Sequence, residues 1–302
     1  MGRKGLYILV FCLLGGVLLL SLDAYADRKA KEAVEKLIDR FRLEGKVSYG
    51  KVDHSLFKGE TRIEGLSFKV KDGVVRAEEV VVSELTEEET KVRFIGVSST
   101  DRDFEEFRKN MKELGYEDVK VNLSLNVRMD REKGDLKVRS FEVEVPDAFL
   151  LSLSLDLGNL SYSFLEEMGK MEEIEEEDLP EFTEKVGRIR IRSFEVSLTD
   201  LGIRERAIRK EAEKSGRSPE EVKEEILREL EMSVRESDPE IKRELVESLR
   251  TFVDRGGTLR ITARPEAPVS ISDVILVLLV SAQTRDMSQV VEMLNLRIDH
   301  EE

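Results

Sequence analysis

The feature that most constrains the fold of this chain is a strict alternation of apolar and polar side chains over residues 119–129. The apolar positions are Val119, Val121, Leu123, Leu125, Val127 and Met129. Successive side chains of a β-strand point to opposite faces of its sheet, so this pattern predicts a strand with one buried face. A second alternation predicts another such strand, with apolar positions Leu151, Leu153, Leu155 and Leu157.

A sequence motif that occurs three times, called the repeated phrase below, indicates how these strands bend. Residues 63–70, 138–145 and 191–198 each hold an apolar residue, two small or charged residues, and then an alternation in the opposite phase. One extra residue in a strand produces this change of phase, because a β-bulge lets both halves keep their apolar side chains on one face. The alternative is that any strand-rich core reuses the same alternation of Phe, Val and Glu.

The order of elements predicts an α+β fold with a mainly antiparallel, bulged sheet. Helical patterns lie at 103–114, in three segments between Gly202 and Arg255, and at 272–282 and 288–294. The chain returns to strand at 258–263 and 296–298. Ser218-Pro219-Glu220-Glu221 has the form of a helix start, with an N-cap, a proline at the first turn and a capping-box glutamate.

The helix that starts near Ile271 is apolar almost all round, with Val274, Ile275, Leu276, Val277, Leu278, Leu279 and Val280 in succession. It is too short to span a bilayer. The pattern favours a helix that is buried on several sides. The alternative is a lid or a membrane-touching helix over an apolar groove.

The N-terminus predicts export across a membrane. Arg3 and Lys4 precede an uninterrupted apolar run of 18 residues, from Gly5 to Leu22. At about 1.5 Å per residue this run could just cross a hydrocarbon core of about 30 Å. Ala24-Tyr25-Ala26 resembles a signal-peptidase site, so the segment is either a retained anchor, the reading we favour, or a signal cleaved at Ala26. The positive charges before the run keep the N-terminus in the cytoplasm in both cases.

Composition argues against several functions. The 302 residues include 49 Lys and Arg against 64 Asp and Glu, a net charge of -15, so a nucleic-acid partner is not expected. The only histidines are His54 and His300, and the single cysteine is Cys12. So few histidines and cysteines exclude zinc sites made of Cys and His, and they make a Ser-His-Asp catalytic triad very improbable. We therefore predict no catalytic residue, no metal and no cofactor, and a protein that is not an enzyme.

These patterns divide the chain into four parts. Residues 1–26 are the membrane or signal segment, and residues 27–44 are a helix that continues from it. Residues 45–186 form a strand-rich domain, and residues 187–302 contain a strand, a helical subdomain and C-terminal strands. The third copy of the phrase bridges the boundary near Gly187, so one continuous sheet is the alternative.

The overall plan resembles AsmA-like and YdgA-like envelope proteins of Gram-negative bacteria. The segments that carry the resemblance are 47–52, 63–68, 197–202 and 257–265, together with the apolar N-terminus. The resemblance implies an anchor in the bacterial inner membrane, a periplasmic body and a curved sheet that forms a groove for lipid. It carries over no functional residue, and this chain is shorter than that plan and has a longer helical insert.

The sequence therefore predicts a non-enzymatic, single-pass inner-membrane module with its body in the periplasm. Its partners would be the inner membrane, through residues 5–22, and a phospholipid or an envelope protein. The residues predicted to line the groove are Leu123, Leu125, Val127, Leu151, Leu153 and Leu155. The alternative function is an envelope structural or assembly protein that docks a partner through the helices of 202–255.

Overall fold

A computed structural model describes residues 29–38, 47–55, 57–70, 73–86, 88–130, 132–160, 164, 179–233, 239–284 and 287–302. These residues fall into two compact units. The first unit contains the described residues up to Leu85 together with 91–105, and the second contains the described residues of 86–90 and 106–302.

The first unit combines one helix with four strands. Helix α1 covers residues 29–38. The strands are β1 (Val52–Ser55), β2 (Glu60–Val70), β3 (Gly73–Leu85) and β4 (Glu89–Ser99), in the spatial order β1-β2-β3-β4. Strand β2 pairs antiparallel with both β1 and β3. The unit has a filled apolar core, in which Leu37 of α1, Ile63 and Leu66 of β2, and Val80 of β3 are fully buried.

The second unit is built on an antiparallel sheet of six successive neighbours, in the order β5-β6-β7-β8-β9-β11. These strands are β5 (Val121–Asp130), β6 (Asp135–Val145), β7 (Phe149–Gly158), β8 (Arg190–Asp200), β9 (Thr258–Ala263) and β11 (Leu296–Glu301). The short strand β10 (Val269–Ser270) pairs with the beginning of β8. The strands come mostly first along the chain and the helices mostly after them, so the fold is α+β.

Seven further helices accompany the strands in the described residues. They are α2 (Arg102–Glu113), α3 (Leu179–Gly187), α4 (Ile203–Ser215), α5 (Pro219–Ser233), α6 (Pro239–Arg255), α7 (Ile271–Thr284) and α8 (Ser288–Leu294). Helix α5 starts as its sequence predicts, because the Ser218 hydroxyl accepts the Glu221 N–H and the Glu221 carboxylate accepts the Ser218 N–H. Helix α6 lies against β9 and β11.

Two of the three repeated phrases form the bulge that the sequence predicts. Val127 pairs with Val138 but Asn126 pairs with Ser140, so Arg139 is the extra residue of β6. In β8, Arg192 is the extra residue, because Leu157 pairs with Ile191 and Asp156 with Ser193.

The first copy changes phase differently. The register between β2 and β3 is the same on both sides of Gly65, which has a φ of 64°. Glycine adopts this left-handed conformation without steric cost. Ile63 and Leu66 are both fully buried as a result, although they are an odd number of positions apart, with two residues between them.

The predicted transmembrane helix, and with it the fold class that placed this helix first, is wrong for the described residues. No helix within them combines the length and the apolar composition needed to cross a bilayer. The same finding overturns the predicted single-pass localisation in the bacterial inner membrane. Residues 5–22 and Ala26, on which those predictions rested, lie outside the described residues.

The four-part division of the chain stays a prediction; β8 pairs with β7 along its length, so the sheet continues across the boundary drawn near Gly187. One other expectation differs from the structure. Helix α7 was expected to be buried on several sides, but Leu276 and Leu279 are 61% and 59% exposed. Its main contacts are with α3, α8 and β10.

Candidate ligand-binding face of the second unit

The six residues predicted to line a groove lie on one face of the second unit's sheet. Strand β6 runs between their two strands, and the register joins them across it in three neighbouring rows. Leu123 and Leu151 flank Val143, Leu125 and Leu153 flank Phe141, and Val127 and Leu155 flank Val138. The structure therefore brings all six predicted residues together.

The second and third rows continue as apolar residues to β11, whereas the first ends at β9, because the β11 partner of Leu259 is His300. The first row is Leu123, Val143, Leu151, Leu198 and Leu259; the second is Leu125, Phe141, Leu153, Val196, Ile261 and Ile298; the third is Val127, Val138, Leu155, Phe194, Ala263 and Leu296. We call this surface the apolar face. None of its members carries a charge.

The apolar face is incompletely covered. Phe141 and Leu151 are 36% and 37% exposed, and of the other members only Ala263 is buried. The equivalent positions in the first unit, Ile63 and Val80, have no exposed surface. The difference matters because a face that is only a core would be expected to approach the close packing of a protein interior.

The opposite face of the same strands is polar, and several of its side chains pair with one another. Asn122 donates to the Glu144 carboxylate at 2.9 Å. Arg260 makes a bidentate pair with Glu301, at 2.7 and 2.9 Å. Its Nε lies 3.4 Å from the Glu195 carboxylate. The polar face therefore suits contact with water, and the apolar face is the one that would gain from a ligand.

One end of the apolar face is closed by a small core. Leu160, Phe164 and Ile189 are buried there, and Leu136, Leu157, Phe182, Val186 and Ile271 pack around them. Leu157 follows Leu155 on the same face of β7, so the cluster is a direct continuation of the three rows. The side chains of α3 and the start of α7 thus close the sheet where the rows end.

The other end of the strands lies beside the turn between β6 and β7. The Tyr116 hydroxyl donates to the Asp147 carbonyl at 3.0 Å, and the Arg206 guanidinium stands 4.1 Å from the centre of the Tyr116 ring. Burial raises the pKa of Tyr116, while the nearby positive charge of Arg206 acts to lower it. This arrangement fixes α4 against the turn, and the phenol remains neutral at ordinary pH.

Sequence reasoning missed most of the apolar face. Phe141, Val143, Phe194 and Val196 belong to it but were assigned only to the repeated phrase. The phrase was itself the signal, because the bulge restores the apolar phase and so places these residues beside the leucines of β5 and β7. The residues that β9 and β11 add to the apolar face could be identified only from the strand pairing in the structure.

Of the helices predicted as an alternative docking site, α4 and α5 pack apolar residues against each other, and α6 lies against β9 and β11. Ile208, Ala212 and Val222 form a buried cluster between α4 and α5. Ile226 and Met232 of α5 are exposed. That docking role stays a prediction.

The two histidines have structural partners. His54 shares a hydrogen bond of 2.9 Å with the Thr61 hydroxyl, and His300 lies 2.6 Å from the Gly256 carbonyl. Within the part of the chain that the structure describes, no three His, Cys, Asp or Glu residues converge as metal ligands.

Comparisons with known proteins give family membership but no activity. A protein of Aquifex aeolicus (strain VF5), described as an uncharacterized protein, is 30% identical over 285 residues, which are 94% of this chain and 95% of that protein. The sequence model of a family described as "Uncharacterized protein" matches residues 142–301. The resemblance to AsmA-like proteins is untouched by these matches and stays a prediction. The matched region contains β7, β8, β9 and β11, and the chain belongs to this family.

Proposed function

We propose that this protein is a non-enzymatic binding module that holds an elongated apolar ligand, with the chemistry of a lipid acyl chain, on the apolar face. The observation that carries the proposal is the exposure of Phe141 and Leu151 in the middle of three uncharged rows. Covering apolar surface releases about 25 cal/mol for each Å² removed from water. An uncharged ligand would gain this free energy without leaving a charged protein group unpaired.

The dimensions of the face support an elongated ligand. Neighbouring strands lie about 4.8 Å apart, so six strands give a track of about 24 Å across the sheet. Three rows spaced by two residues each cover about 14 Å along the strands. An extended acyl chain fits such a track when it lies across the strands. The opposite face carries bidentate and bridging ion pairs, so it offers no comparable apolar track for an acyl chain.

The test is photo-crosslinking of the full chain with a phosphatidylcholine that carries a diazirine in its acyl chain, followed by peptide mapping. We expect label on β6, β7 and β8. Leu151→Lys places a charge on the apolar face at a position that is already 37% exposed, and it should remove that label while the fold is retained. Circular dichroism of the variant checks the fold.

A matched control is available one residue away. Ser152 points to the opposite face and pairs with Glu142, so Ser152→Lys adds the same charge to the same strand beside a carboxylate. This variant should keep the label. Equal labelling of both variants, or label confined to residues outside the apolar face, would contradict the proposal.

A further inference from the structure

Helix α7 exposes most of its large apolar side chains, unlike an ordinary amphipathic helix. Its buried side carries Ser281, which is 2% exposed, with Val274 and Val277 half-buried beside it. Its outer side carries Ile275, Leu276, Leu278, Leu279 and Val280, which are 48%, 61%, 40%, 59% and 40% exposed. Residues of a helix advance by about 100° each, so these five cover one continuous arc of its surface.

The start of α7 is anchored to neighbouring elements by hydrogen bonds and by packing. The Ser270 hydroxyl accepts the Asp273 N–H at 3.1 Å and donates to the Asp273 carboxylate at 2.5 Å, which forms an N-terminal cap. The Ser272 hydroxyl donates to the Gly187 carbonyl at 3.0 Å. Ile271 packs into the cluster with Leu157. The helix thus projects its apolar arc from the closed end of the apolar face.

The size and the lack of charge of this apolar arc favour a lipid surface over a protein as its partner. Five side chains with these exposures present on the order of 500 Å², at the upper range for the largest apolar patch of a monomer. A stable protein interface needs about 800 Å² from each partner. Between Ile275 and Val280 there is no charged side chain to set the register of a second helix. A lipid surface requires neither a matching shape nor a matching charge.

We propose that α7 docks this protein on a lipid surface by inserting its outer apolar arc at the level of the acyl chains. With 14 residues, α7 is about 21 Å long and lies in the plane of the surface, because it cannot cross a core of about 30 Å. The net charge of -15 directs the helix to zwitterionic lipid and away from anionic headgroups. This surface is separate from the apolar face, so each can be tested without the other.

The experiment places an environment-sensitive fluorophore on α7 of the full chain. Cys12→Ser removes the one native thiol, and Leu276→Cys provides the labelling position. On adding phosphatidylcholine vesicles, we expect a blue shift of the emission and quenching by lipids brominated on their acyl chains. The same fluorophore at Lys214→Cys, an exposed position on α4, should show neither change.

A second variant separates α7 from any other contact with lipid. Leu279→Glu, added to the Leu276→Cys protein, puts a charge at a position that is 59% exposed and so leaves the fold intact. It should abolish the blue shift and the quenching at residue 276.

Three results would overturn the proposal. The first is an unchanged emission at residue 276 when vesicles are added. The second is a blue shift without vesicles that grows with protein concentration, which would assign the arc to a second copy of the chain. The third is a blue-shifted emission at high dilution without vesicles, which would mean that another segment of the same chain covers α7.

Discussion

At the scale of single residues, the least replaceable polar group of the second unit is the carboxylate of Asp200. It accepts the N–H groups of Gly202 and Arg204, and the Arg204 Nε lies 3.2 Å from its other oxygen. Arg204 in turn donates to the Val253 carbonyl at 2.7 Å. The side chains of Asp200 and Arg204 are only 8% and 18% exposed, so water has limited access to these bonds. One half-buried ion pair therefore connects the end of β8, the start of α4 and the end of α6.

Asp200→Asn should lower the free energy of unfolding by about 2 kcal/mol, because it leaves the half-buried Arg204 charge without its partner. Urea unfolding followed by circular dichroism measures the change. Glu205→Gln is the matched control: its ion pair with Arg209 has the same spacing along α4, but both side chains are more than half exposed. That change should cost about 0.5 kcal/mol or less. Similar costs for the two variants would refute the role given to Asp200.

At the scale of elements, the bulges decide which side chains reach the apolar face. A strand that slips by one residue moves every following side chain to the other face. In β8 the extra residue Arg192 keeps Ile191 and Phe194 on the same side. The Arg192 side chain itself only bridges two neighbours, Asp135 at 2.6 Å and Asp156 at 3.4 Å.

Two changes at Arg192, its deletion and its substitution by alanine, should therefore have different consequences. Deletion removes the bulge and turns the β8 residues on one side of it to the wrong face, so we expect loss of the cooperative thermal transition. Arg192→Ala keeps the backbone and loses only half-exposed ion pairs, at a cost of about 1 kcal/mol or less. Thermal unfolding by circular dichroism compares the two. A deletion variant as stable as Arg192→Ala would show that the register is not set at this position.

The same elements show what the sequence could and could not predict. The strands β5 and β7, the bulges and the α5 capping box followed from local patterns, because period, phase and caps are properties of neighbouring residues. The exposure of α7 did not follow, since its apolar composition is the same whether other elements cover it or not. The extension of the apolar face onto β9 and β11 could not be predicted from the sequence either. It depends on pairing between β8 and a strand that begins 58 residues after Asp200.

At the scale of the whole molecule, the two units use apolar strands for different purposes. In the first unit several apolar strand residues have no exposed surface, among them Ile63, Leu66 and Val80. In the second unit the same kind of alternation produces three rows in which only Ala263 is buried. The contribution of a leucine to stability should therefore depend on which unit contains it, because the penalty for truncation follows the contacts and the cavity that are lost.

Two leucine truncations test this contrast. Leu66→Ala removes a side chain with no exposed surface in the first unit, and it should lower the local free energy of unfolding by about 3–5 kcal/mol. Leu151→Ala removes one that is already 37% exposed, so the loss should be about 1–2 kcal/mol. Hydrogen exchange read by mass spectrometry reports each unit separately, which matters for a chain with two compact units. If Leu151→Ala cost as much as Leu66→Ala, the apolar face would be an ordinary core, and the binding role assigned to it would lose its basis.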